Sequence, residues 1–150
     1  MLVLAAAAFA GSPVQAADAA YLGAWRIISA RVAPWADPRE RAPDRAEARA
    51  LVGRIVRFTP QAITGPKVFA CRRPQYRLVE WPAEMLFQGA FDEMRRQDPR
   101  VDPLKLAQSL GFQGTSWKSL ETGCEFDWHF VSLGEMETSL NDYVYFLRKE

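Results

Sequence analysis

The chain has 150 residues, with 19 Lys and Arg against 18 Asp and Glu and a net charge of +1. That length suggests one domain, and so even a balance leaves no field of one sign to steer it toward nucleic acid or an anionic membrane. Hydrophobic residues are 49% and aromatic residues 12% of the chain, the profile of an ordinary globular protein with material for a real core.

The opening reads as a secretory signal peptide. Leu2 to Ala10 form a short apolar run, Gly11, Ser12 and Pro13 follow, and Val14-Gln15-Ala16 gives a small-x-small pattern before Ala17. The basic start of such a peptide is missing, since no Lys or Arg precedes Arg26. The run is short of the roughly 20 residues that span a bilayer, so no stable membrane insertion is expected. The expected organisation is a signal peptide over residues 1–16 and a single domain over residues 17–150, periplasmic or secreted.

Leu22 to Val32 predicts a first strand, rich in β-branched and aromatic residues. Alternation puts Trp25, Ile27 and Ser29 on one face and Arg26, Ile28 and Ala30 on the other. Pro34, Pro38 and Pro43 then forbid a regular strand. Residues 33–43 are a long loop containing Trp35, either a lid over a site or a solvated connection. Asp44 caps a short predicted helix to about Leu51, ended by Gly53.

Ile55 to Phe58 and Ala62 to Thr64 predict two short strands around a turn, and "KVFAC" and "QYRLVEW" two more. From Pro82 the pattern changes. Apolar residues at Met85, Leu86, Phe91 and Met94 sit near helical spacing, and Asp102-Pro103 opens a second helix that stops at Gly111. Residues 82–110 are therefore a helical insertion between strands. "TSWKSLET" predicts a strand. "CEFDWHFVS" follows with Cys124, Phe126, Trp128 and Phe130 on one face and Glu125, Asp127 and His129 on the other. "LGEMETSLND" reads as a turn and "YVYFLRK" as the terminal strand.

Two cysteines, Cys71 and Cys124, complete the inventory. In an oxidising compartment an isolated pair is most simply a disulfide. Two buried thiols are the competing reading. A metal pair is disfavoured by the single His and the absence of close Cys spacing.

About eight short strands, mostly neighbours in sequence, predict a mainly β fold: an antiparallel barrel whose last strand pairs with its first. Gly23-x-Trp25 on the first strand and Arg148 on the last resemble the two ends of a lipocalin-like (calycin) barrel. The resemblance implies that Trp25 packs across a closed end with Arg148 on its indole face, and that residues 33–43 are the family's large first loop. The helical insertion departs from that pattern. The chain as a whole is also similar to a type of small exported bacterial protein, a likeness that carries no activity.

No catalytic set is apparent. His129 shares a face with Asp127 and Glu125, the orienting half of a triad, but no G-x-S-x-G or other recognisable nucleophile setting accompanies it. The resemblance would allow a single-His haem site, yet those acidic neighbours place His129 on a solvated outer face. No phosphate loop and no zinc or calcium motif occurs. The expectation is a non-enzymatic protein without cofactor or metal. It holds a small apolar molecule inside the barrel, with Trp35, Phe126, Trp128, Phe130 and Tyr145 as ligand-binding residues. The alternative is a periplasmic protein-interaction module, such as a hydrolase inhibitor or immunity-type protein, that presents the Pro-rich loop.

Overall fold

The computed structural model describes residues 19–150; the predicted signal peptide lies outside them. Nine antiparallel strands form one sheet curled into a half-barrel. They are β1 (Gly23–Val32), β2 (Ile55–Phe58), β3 (Ala62–Thr64), β4 (Cys71–Arg72), β5 (Arg77–Pro82), β6 (Ser116–Glu121), β7 (Trp128–Ser132), β8 (Glu135–Leu140) and β9 (Tyr143–Lys149). Their spatial order is β4-β3-β2-β1-β9-β8-β7-β6-β5. The first and last strands pair as expected, from Trp25 opposite Lys149 to Val32 opposite Tyr143. The free edges are β4 and β5 instead.

Three short helices accompany the sheet: α1 (Arg45–Leu51), α2 (Ala90–Gln97) and α3 (Pro103–Ser109). The Asp44 carboxylate accepts from the amides of Ala46 and Glu47, and Asp102 does the same for Leu104 and Lys105. Each cap satisfies N–H groups that the first helical turn leaves without partners. Among the described residues no helix is long and apolar enough to cross a membrane.

Both faces of the sheet are covered. The concave side packs Trp25, Ile27, Phe58, Leu120, Trp128, Met136, Tyr145 and Leu147 against Ala48 and Leu51 of α1. The convex side carries Trp117 and Val144 under Leu86, Phe87, Phe91 and Ala107 of the helical insertion and Phe112 just after it. A row of facing residues, Ile27–Leu147–Met136–Phe130, runs across four strands of the concave layer.

Four local expectations are corrected. "KVFAC" is a 3-10 turn at Lys67–Phe69 followed by the two-residue β4. The turn drives Phe69 into the concave core, edge-on to Phe126, Trp128 and Tyr145. "LGEMETSLND" contains a full strand, β8. β7 begins only at Trp128, because Cys124 is held in the preceding loop by its disulfide. A bulge in β1 between Ile27 and Ser29 reverses the parity, so Ser29 faces outward with Phe146 and Arg31 with Val144.

The Cys71–Cys124 disulfide joins edge strand β4 to the β6–β7 loop, with Cα atoms 6.1 Å apart and a sequence separation of 53. It spans the seam between β4 and β5 that strand pairing leaves open. Replacing both cysteines by Ser should lower unfolding stability by about 2–4 kcal/mol, because the unfolded chain regains the closed loop's freedom. Urea unfolding of oxidised and Ser-substituted protein checks this; equal midpoints would show that the curl holds without the covalent tie.

Candidate functional site

The sequence-predicted ligand residues divide between two layers. Trp128 and Tyr145 are fully buried in the concave core, and Phe126 packs there beside Phe69. The barrel interior at this level is filled by its own side chains. Two polar atoms inside it, the indole N–H of Trp128 and the hydroxyl of Tyr145, have no hydrogen-bond partner among the described residues. Trp35 lies elsewhere. Its ring packs on Phe87 and Phe91 of the insertion, and its Nε1 donates to the Asn141 carbonyl at 3.1 Å.

Trp35 and Phe126 share a small pocket of about 240 Å³ with Phe87 and Leu140, while Phe130 lines a separate one. A cleft of about 290 Å³ opens at the Trp25 end of the half-barrel, along β5, β6 and β7. Leu78, Phe130 and Leu133 supply apolar walls, and Glu80 and Lys118 form part of the rim. Leu133, in the β7–β8 turn, is 81% exposed, far more than any other large hydrophobic side chain described. Phe130 meets Trp25 edge-on with ring centroids 5.9 Å apart, so the cleft floor rests on the packed end of the barrel.

At that end Trp25 is buried, and its Nε1 donates to the Tyr21 carbonyl at 2.8 Å. The cation over its ring is Lys149, with Nζ 5.5 Å from the centroid, and not Arg148. The reason is parity. Tyr145 and Leu147 face inward, so Lys149 does too, while Arg148 turns out to pair with Glu135 at 3.0 Å. Gly23 opens β1 at φ 118°, a conformation that side chains rarely adopt, and a Cβ there would lie 3.6 Å from Lys149 Cε.

His129 is the largest departure from expectation. It is 1% exposed and faces the helical insertion, away from solvent. At His129 the expected solvated face is covered by the insertion, whereas Glu125, in the loop before β7, is exposed and Asp127 is half-buried. His129 sits in a cross-sheet row with Ser119 on one side and Glu137 on the other, continued by Phe146 and Ser29. The Phe87 amide donates to His129 Nε2 at 2.9 Å, and His129 Nδ1 lies 2.7 Å from Ser119 Oγ. Since Nε2 accepts, the neutral ring carries its proton on Nδ1 and donates to the serine. That polarity is opposite to a nucleophile–base pair, in which the imidazole accepts from the hydroxyl. Burial lowers the His129 pKa to about 3, so the ring is neutral at physiological pH.

The contact restrains an unfavourable turn. Phe87 and Gln88 both have positive φ, 50° and 58°, which costs roughly 1–2 kcal/mol per residue. The His129 bond fixes the first, and the Gln88 side chain donates to the Glu125 carbonyl at 2.6 Å to fix the second. Spacing in the sequence revealed neither the clip nor Glu137. The latter is 1% exposed, and its Oε2 has no partner among the described residues. Burial raises its pKa to about 9 despite the opposing charge of Arg31.

Among the described residues no group of three or more His, Cys, Asp or Glu is placed to hold a metal ion. Comparison of the chain with protein-family models, with curated proteins and with solved structures gave no match.

Proposed function

We propose that this is an exported, non-enzymatic, lipocalin-like binding protein that takes a small apolar molecule at the Trp25 end of its half-barrel. The observation that carries the reading is the cleft beside Phe130. Its volume of about 290 Å³ is at the lower end of the range for small-molecule sites, and it combines apolar walls with a few polar rim groups. The exposed Leu133 side chain at its lip is the kind of surface a bound apolar molecule would cover. The filled interior limits the ligand to the mouth. Export is supported by the disulfide, which persists in oxidising compartments.

An environment-sensitive naphthalene dye tests this directly. Titration should give saturable fluorescence enhancement. Leu133→Glu and Leu78→Glu, both at the cleft surface, should weaken it by about tenfold or more, since a charge in an apolar contact costs over 1.4 kcal/mol. Absence of saturable binding to the folded wild-type protein would overturn the reading.

A second reading, a protein-interaction module, draws on the loop after β1. Trp35 anchors one end in the insertion, and Arg41 bonds Asp142 at 2.8 Å at the other. Pro38, Arg39 and Glu40 are left on the surface. Held this way, the loop would lose little freedom on docking to a partner such as a cell-wall hydrolase.

A further inference from the structure

We propose that the convex face carries a second, separate site for a small monocarboxylate with an apolar body, held between the Arg31 guanidinium and the carboxyl group of Glu137. A cleft of about 330 Å³ lies between strands β1, β9 and β8 and the C-terminal end of α3. Arg31, Glu137, Phe146, Val131 and Ser29 all line it.

Three independent features converge on this cleft. The first is Glu137, an almost completely buried acid whose Oε2 has no hydrogen-bond partner among the described residues. Burying a carboxyl group without a partner is expensive, and native proteins rarely leave such a group unexplained. The second is Arg31. Its guanidinium lies over the Phe146 ring, 4.7 Å from the centroid, and it forms no ion pair among the described residues. The third is the β1 bulge, which turns Ser29 and Arg31 to the same face as Glu137. Without that extra residue the regular alternation would put both on the concave side. Bulges often re-aim side chains beside functional sites.

The charges select the ligand. His129 on β7 is neutral and occupied by Ser119 and Phe87. Glu135 on β8 is paired with Arg148 of β9. From α3 the lining residues Gln108 and Ser109 are uncharged. The Glu137 pKa of about 9 leaves its side chain a neutral acid at pH 7. Arg31 is then the uncompensated charge, and the site is net positive. A carboxylate can take the two-pronged guanidinium and accept from the Glu137 O–H at once. An amine would meet the Arg31 charge and would have to expel the Glu137 proton. Phe146 and Val131 suit an apolar body, and the volume limits it to a small acid.

Benzoate is a suitable probe, with benzylamine and inorganic phosphate as charge controls, titrated calorimetrically at pH 6.5 and above. Benzoate should bind, and neither control should compete with it. Arg31→Ala should weaken binding by about tenfold or more, as expected for a charge-assisted bidentate contact. Glu137→Leu should also weaken it, whereas Glu137→Gln keeps an N–H donor and should retain binding. The wild-type affinity should fall as pH rises past about 9, where the Glu137 proton is lost, and that fall should be absent in Glu137→Gln. Leu133→Glu, at the other cleft, should leave benzoate binding unchanged, so failure of one site is distinguishable from failure of the other. Binding of benzylamine in place of benzoate, binding of neither, or full affinity in Arg31→Ala would each overturn the proposal.

Discussion

Between pH 6.5 and pH 9 the wild-type protein should lose stability steadily, while Glu137→Gln should hold its stability over the same range. The Glu137 pKa is raised from 4.5 to about 9. Above 4.5 the unfolded chain gives up a proton that the folded chain keeps, so rising pH favours unfolding until about pH 9. His129 has the opposite sign. Its pKa is lowered from 6.5 to about 3, so below 6.5 the unfolded chain takes up a proton that the folded chain refuses. Each pH unit in either window is worth about 1.4 kcal/mol. Between 4.5 and 6.5 the two slopes cancel and this pair contributes a plateau. Above 6.5 the Glu137 slope stands alone, and below 4.5 the His129 slope does.

At pH 8 Glu137→Gln should therefore be more stable than wild type by roughly 2–4 kcal/mol, a value reduced from the full linkage sum for relaxation around a buried group. Urea unfolding of both proteins from pH 4 to pH 9 measures the difference, and the surface carboxylates cancel in it. Parallel curves would show that Glu137 ionises normally and that burial does not govern it. At the acid end, a protonated His129 has no acceptor left for the Phe87 amide. Loss of stability there should coincide with release of the helical insertion, visible as a gain in exchange of the Phe87 amide.

Trp25→Ala should cost about 3–5 kcal/mol, the usual range for emptying the site of a buried aromatic residue. The indole is fully buried, contacts Phe130 and donates a hydrogen bond to Tyr21, so the deletion leaves both a cavity and an unpaired carbonyl. Lys149→Ala removes the cation from the ring and should cost less than about 1 kcal/mol, because an exposed cation–π contact is weak. Arg148→Ala should stay within about 0.5 kcal/mol, as expected for an exposed ion pair. A larger cost for Arg148 than for Lys149 would show that the barrel end is closed as the lipocalin resemblance implied and not as the geometry places it.

Local chemistry made part of this fold readable. The Asp44 and Asp102 caps, the Gly-Pro punctuation and the paired cysteines are short-range signals, and α1, α3, β2, β3 and the disulfide follow them closely. The pairing of β1 with β9 was readable from the two ends. β8 was not, because its sequence, Glu135 to Leu140, sets Glu137 and Thr138 into buried positions where alternation calls for apolar residues. The buried face of His129 is hidden from the sequence for a related reason. Alternation separates two faces but does not say which is wet, and the insertion that buries this one is 42 residues away in sequence at Phe87. The outward turn of Arg31 depends on a bulge, and nothing in the composition of "RIISARV" marks it.

The order of strands also bears on when the molecule can finish folding. Successive pairings from β1 to β4 and from β5 to β9 join strands consecutive in sequence, the widest, Arg77 with Glu121, over 44 residues, and only the β1–β9 ladder joins the two arms of the sheet. Arg26 and Glu150, which bond across that ladder, are 124 residues apart. Loop closure over such a distance is a late and slow event relative to hairpin formation. The central seam of the sheet is therefore made last, when the final strand has become available. A chain moving N-terminus first through a narrow pore would keep its two halves undocked until β9 had emerged.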